Sequence, residues 1–255
     1  MELVSAASVP ANLGHSYIYS TLSENDSIRL LLLQPALSSS TQIRCSLIHT
    51  TLSACAYDIV DHYIALSYAW GSTTKPNTIW IDDLSVNVTA NLYSALQDIR
   101  DKERVIRLWI DAVCIDQEND DEKAVQISMM PDIYRLARVT VIYLGPFDDG
   151  AEEMLSAPAS GQNHNMVQIA MLFLGKEWFR RVWVFQELVF SREPWIQYGR
   201  FRWTWEYIYG FLQSQKPYIL SDMLLLSHSD DKPWNPAPDP EICATAYRSI
   251  TEISV

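Results

Sequence analysis

The sequence predicts an α/β fold, a mostly parallel sheet flanked by helices with an N-terminal β extension and a hairpin insertion. Three observations carry that expectation. Strand-like and helix-like stretches alternate between about residues 63 and 198, the order that a sheet with crossover helices requires. Two short apolar runs, 28–33 and 44–48, stand ahead of the alternation and are separated by a Pro/Ser-rich turn at 35–40. Residues 79–81 and 85–88 flank Asp82-Asp83-Leu84 and read as a hairpin.

Each element has a local reason. Residues 63–68 form an apolar strand that stops at Gly71. Thr89 is placed to cap a helix starting near Asn91, with Leu92, Leu96 and Ile99 on one face. Residues 105–110 make the next strand and run into Asp111, and a polar stretch at 116–121 leads to a helix near 122–137. The spacing of Ile127, Met130, Tyr134 and Ala137 predicts the buried stripe of that helix, and Pro131 within it predicts a kink or a split into two pieces. Residues 139–144 form a third strand closed by Gly145-Pro146, 147–165 an acidic exposed loop, about 166–190 a helical region broken near Gly175, and 195–198 a fourth strand. The division expected is a loose lead-in at 1–16, a main domain at 17–205, and an extension at 206–255 that is partly low in structure. Ligands on such sheets bind beyond the carboxyl ends of the strands. Tyr68, Trp70, Gly71 and Asp111 fall at that edge.

Bulk properties narrow the function. The chain has 255 residues, 48% apolar and 20% charged, in the range of globular domains. Its net charge of −12 opposes a nucleic-acid-binding role, which needs a positive footprint. No apolar run approaches the ~20 residues of a membrane span, and residues 1–15 lack the basic start of a secretory signal. A cytoplasmic protein is expected. Cys45, Cys55, Cys114 and Cys243 are widely spaced without a CxxC pair, so reduced thiols are expected and no metal site. The sequons at Asn25 and Asn87 read as chance matches in a chain without a signal.

Three blocks carry the chemistry. They are Ala65-Leu-Ser-Tyr-Ala-Trp-Gly71; Leu108-Trp-Ile-Asp-Ala-Val-Cys-Ile-Asp-Gln117 with Glu122-Lys123 and Gln126 following; and Trp178-Phe-Arg-Arg-Val-Trp-Val-Phe-Gln-Glu187 followed by Gly199. In this order and spacing they resemble the signature blocks of HET domains, the modules of fungal heterokaryon incompatibility proteins. The lead-in Ile28-Arg-Leu-Leu and Asn91-Leu look like that family too. The resemblance covers about residues 17–205. It implies a fold similar to TIR domains, hence flavodoxin-like, and a role in fungal non-self recognition and programmed cell death. Trp183 and Glu187 match the Trp-x-x-x-Glu pattern of TIR domains, in whose NAD-cleaving members that glutamate is catalytic. By that resemblance Glu187 is the candidate catalytic residue and NAD the candidate substrate, with no tightly bound cofactor. Tyr68, Trp70, Gly71, Asp111, Asp116, Arg180 and Trp183 are the candidate ligand-binding residues.

The chemistry is sound by itself. Cleaving the nicotinamide–ribose bond passes through an oxocarbenium-like state. A nearby carboxylate stabilises that charge, and nicotinamide leaves without protonation at the glycosidic nitrogen, so one carboxylate suffices. On one continuous helix Arg180, Trp183 and Glu187 would share a face.

Plainer readings stand beside these. Trp183 also fits a core, and Glu187 a salt bridge to Arg180 or Arg181. Asp111 orients a ligand hydroxyl or caps a turn. Asp116-Gln117 contacts ligand or caps the next helix, and Gly71 lines the pocket or only permits a tight turn. The resemblance implies partners of three kinds: a nucleotide-type small molecule, a second copy of the chain, or another incompatibility protein. A non-catalytic adaptor acting by self-association is the alternative, and a degenerate domain without activity a third. Many HET proteins continue well beyond this length, so a fragment, a truncated paralogue or a minimal protein is expected from a chain stopping at Val255.

Overall fold

The computed structural model describes residues 19–38, 40–57, 62–148, 163–181 and 184–226, with backbone alone at 163–168, 184–186 and 216–226. Among the described residues nine strands form one sheet in the order β5-β4-β2-β1-β6-β3-β7-β8-β9. The strands are β1 (Ser27–Leu33), β2 (Arg44–Thr51), β3 (Ile64–Tyr68), β4 (Asn77–Ile81), β5 (Leu84–Val88), β6 (Ile106–Trp109), β7 (Val139–Tyr143), β8 (Pro194–Tyr198) and β9 (Phe201–Thr204). The helices are α1 (Leu52–Tyr57), α2 (Ala90–Ile99), α3 (Asp111–Cys114), α4 (Asp120–Leu136), α5 (Asn163–Leu174), α6 (Val184–Val189) and α7 (Trp205–Leu226), with a 3-10 turn at Glu177–Arg180.

The α/β architecture is as expected, but the sheet is mixed. Its centre, β6-β3-β7-β8, is wholly parallel. Numbered along the chain, those four strands run 2-1-3-4, the flavodoxin-like order. β1 joins this core antiparallel to β6 and carries β2. The hairpin β4-β5 is attached to β2 through a short parallel pairing, and β9 closes the other edge antiparallel to β8. The N-terminal strands and the hairpin therefore widen the sheet on the β6 side. Among the described residues they and the antiparallel edge strand β9 are what make it mixed.

Local chemistry explains the elements that position the site. β3 and β7 each have four of five residues buried, as expected for strands covered on both faces. The β4-β5 hairpin turns on Asp82 and Asp83, both at positive φ (48° and 64°), the geometry whose twist matches two-residue hairpins. Thr89 caps α2 by accepting from the Leu92 N–H, and Leu92, Ala95, Leu96 and Ile99 are buried.

Helix α4 runs as one helix across Pro131, so the split is not taken, and it departs from expectation in its buried stripe. Pro131 has no N–H to give the Ile127 carbonyl, and Ile127 is 43% exposed, so the lost bond falls outside the buried stripe. The buried stripe is Gln126, Met130, Ile133 and Tyr134 rather than one including Ile127. Gln126 belongs to it because its amide donates to the Ser27 carbonyl at 2.8 Å, which satisfies a buried polar group.

Two hydrophobic clusters hold the layers together. The larger spans β1 to β7 with α2 and α4, and includes Trp109 and Tyr134 in edge-to-face contact at 5.7 Å. The second joins Phe173, Trp178, Phe179, Leu188, Ile196 and Tyr198 to Ile208 and Leu212 of α7. Residues 205–226, which fall almost wholly in the expected 206–255 extension, are helical, and α7 packs against the sheet edge. Residues 1–18 and most of the expected 147–165 loop lie outside the described residues.

Candidate active site at the ends of the central strands

A cavity of about 330 Å³ opens beyond the carboxyl ends of β3 and β6. Among the described residues it is lined by Trp70, Asp111, Ile115, Gln117, Lys123, Ile127, Met130, Arg181 and Glu187. Its volume lies at the lower end of small-molecule sites. Loops and helix starts surround the ends of these strands, and each brings polar groups to the same crevice.

Glu187 is the innermost polar group, 1% exposed. Its carboxylate accepts from the Ser67 hydroxyl. Trp178 Nε1–H, which can only donate, donates to Ser67 Oγ at 2.6 Å and leaves the Ser67 proton available to Glu187. Arg181 approaches both carboxylate oxygens, at 3.4 and 3.3 Å, and also donates to the Tyr68 carbonyl at 2.6 Å. Burial pushes the Glu187 carboxyl above its usual range and Asp111 adds to that rise, while Arg181 and the Ser67 hydroxyl pull it back.

Asp111 begins α3 and is partly buried. One oxygen accepts from Trp70 Nε1 at 2.9 Å and the other from the Ala112 N–H at 2.7 Å. Burial raises its carboxyl too, opposed by the Trp70 bond, Arg181 and the Ala112 N–H. Gln117 closes the same turn by donating to the Asp111 carbonyl at 2.8 Å.

The structure brings Trp70, Asp111 and Glu187 to one cavity and sorts the other candidates. Tyr68 is buried in the core, where its carbonyl holds Arg181. Gly71 has φ +70°, and a Cβ there would stand 2.9 Å from Asn91 Nδ2, so it serves the turn. Asp116 also shapes a turn, accepting from the Glu118 N–H at 3.1 Å. The cap of α4 is Asn119, which accepts from Glu122 N–H. Arg180 ends the 3-10 turn and is exposed, away from the cavity. The single-helix spacing behind that expectation fails, because the helical path breaks at Arg181 (φ −82°, ψ 137°) and α6 starts only at Val184. Arg181 takes the place expected of Arg180. Trp183 lies outside the described residues.

Ser67, Trp178, Lys123 and the apolar wall of Ile115, Ile127 and Met130 were not singled out as site residues. Ser67, Trp178, Ile115 and Lys123 all fall inside the three blocks, a signal that could have found them. Cys114 is buried and burial pushes its thiol up to about 12, unsuited to a nucleophile. Cys45, Cys55 and Cys114 are free thiols. Among the described residues no group of three or more His, Cys, Asp or Glu side chains could hold a metal ion, and no helix is long and apolar enough to cross a membrane.

Comparison with known proteins agrees with the three blocks. The family model described as heterokaryon incompatibility protein (HET) matches residues 63–187, a span that contains every described residue lining the cavity. The chain is 29% identical over 171 residues to heterokaryon incompatibility protein 6, OR allele, of Neurospora crassa. The match covers 61% of this chain and 24% of that protein. No solved structure matches the chain. Residues 63–187 of this chain are a HET domain.

Proposed function

We propose that the chain is an effector of fungal non-self recognition that promotes cell death by cleaving NAD in this cavity, with Glu187 as the catalytic carboxylate. The supporting observation is the placement of Glu187: a buried carboxylate on the wall of a ligand-sized cavity at the strand ends, aimed by Ser67 and Arg181. The Trp-x-x-x-Glu resemblance of the third block points to the same residue.

The chemistry follows from charge. As the nicotinamide–ribose bond lengthens, positive charge grows on the ribose ring. An ionised Glu187 stabilises that charge, and the poorly hydrated surroundings strengthen the attraction. Arg181 opposes the rise that burial imposes on the carboxyl and so favours its ionised form. Neutral nicotinamide departs with the bonding electron pair, and water attacks the ribose carbon and releases a proton to solvent.

The test is release of nicotinamide from NAD by the purified chain and by Glu187→Gln. Loss of about 100-fold or more in turnover is expected for the variant. Equal turnover by both proteins would refute the role of Glu187. A wild-type chain that releases no nicotinamide, yet self-associates with rising concentration, would be a signalling adaptor instead.

A further inference from the structure

The outer part of the cavity carries a feature that NAD cleavage does not use. Trp70 lies on the cavity wall and is 41% exposed, so its ring is open to a ligand. It is not a loose surface side chain. Its backbone is held on both sides, by Asn91 Nδ2 donating to the Ala69 carbonyl at 3.0 Å and by the positive-φ turn at Gly71. Its indole is held by the 2.9 Å bond to Asp111. Asp111 uses its other oxygen on the Ala112 N–H. Both oxygens are thus committed within the protein.

We propose that Trp70 is a preset stacking platform for a flat heteroaromatic ring of the ligand, and that Asp111 is the positioning residue that sets the indole. Apolar Ile115, Ile127 and Met130 line the same cavity, and they suit a ring better than a sugar or a phosphate. A ring side chain fixed before binding loses little freedom on complex formation, which is how a rigid aromatic surface gains affinity. That the ring belongs to a nucleotide rests on the reading above; the tethering of Trp70 does not.

Binding is measured calorimetrically on the full chain with three probes: AMP and nicotinamide, which carry rings, and ribose 5-phosphate, which does not. Trp70→Ala should weaken the ring probes about 5- to 150-fold, the range of base–aromatic stacking, and leave ribose 5-phosphate unchanged. Trp70→Phe should retain most of the affinity. Asp111→Asn keeps one acceptor for the two N–H donors and should lose less affinity than Trp70→Ala, whereas Asp111→Leu should match Trp70→Ala, with no further loss in the double variant. Unchanged affinity of Trp70→Ala for both ring probes, or no binding of either by the wild-type chain, overturns the platform. A loss in Asp111→Asn as large as in Trp70→Ala overturns the positioning role and makes Asp111 a ligand contact. Nicotinamide release by wild type and Glu187→Gln judges the NAD reading separately, so either idea can fail alone.

Discussion

Replacing Glu122 with alanine strips the charge partner from a buried arginine. Arg29 on β1 is 1% exposed and Glu122 is 11% exposed at the side chain. The guanidinium donates to both carboxylate oxygens at 2.6 and 2.9 Å, and also to the carbonyls of Cys114 at 3.1 Å and Ser20 at 2.7 Å. The Tyr19 ring covers it at 4.9 Å. Glu122 also accepts from the Asp116 N–H at 2.8 Å. One ion pair therefore ties β1, the α3 turn and the first turn of α4, the segments that carry Asp111, Ile115, Gln117 and Lys123 of the cavity.

Breaking such a pair by removing one partner costs about 3–5 kcal/mol, because the other charge stays buried and unpaired. At about 2–4 °C per kcal/mol for a chain of this size, Glu122→Ala should lower the midpoint of thermal unfolding by roughly 6–20 °C. Circular dichroism at neutral pH measures it. Arg29→Met/Glu122→Met should be more stable than Glu122→Ala, since the unpaired charge is gone. A loss under about 1 kcal/mol would place the pair among exposed ones and refute the reasoning. The acid side follows as well. Burial raises the Glu122 carboxyl, but the Arg29 hydrogen bonds, the Asp116 N–H and the Arg29 charge outweigh it and hold it below its usual range. Its contribution is present above the ordinary glutamate range and is lost as pH falls through the depressed value.

Glu187 should behave in the opposite sense. Its carboxyl is raised in the folded chain, so its contribution to stability is full below the ordinary glutamate range and is lost as pH rises through the raised value. Ser67→Ala removes a bond that favours the ionised form, and should move that loss to higher pH. It also leaves buried Trp178 Nε1 unpaired, at a cost of about 1–3 kcal/mol. Unfolding midpoints from about pH 4 to about pH 8, with Glu187→Gln as the reference lacking this titration, measure both effects; superimposable profiles for wild type and Ser67→Ala would contradict the hydrogen-bond chain. Gly71→Ala should destabilise by about 1–2 kcal/mol, from the positive φ alone, plus the displacement of Asn91. Urea unfolding reads it, and a neutral result would mean that the 69–71 turn relaxes freely.

What could be read from the sequence was governed by near neighbours. The hairpin at Asp82-Asp83, the Thr89 cap and the strands ending at Gly71 and Asp111 depend on residues within a turn of one another. Residues of the three blocks line one crevice because strand ends gather their following segments there in a sheet of this kind. The rest depended on partners far apart in the chain. Arg29 meets Glu122 across 93 positions and Ser67 meets Glu187 across 120. A periodic pattern cannot signal such pairs, because each residue is polar for a reason supplied by another element. The same cause misplaced Ile127 and Arg180. Amphipathic spacing assumes one unbroken helix packed on one core, whereas Gln126 is drawn inward by the Ser27 carbonyl and the helical path breaks at Arg181. From its residues alone this chain determined its family and the edge of the sheet where its candidate site lies. Only the tertiary structure decided that Arg181, Ser67 and Trp178 hold Glu187, because their contacts exist only after β3 and the 178–187 segment have packed together.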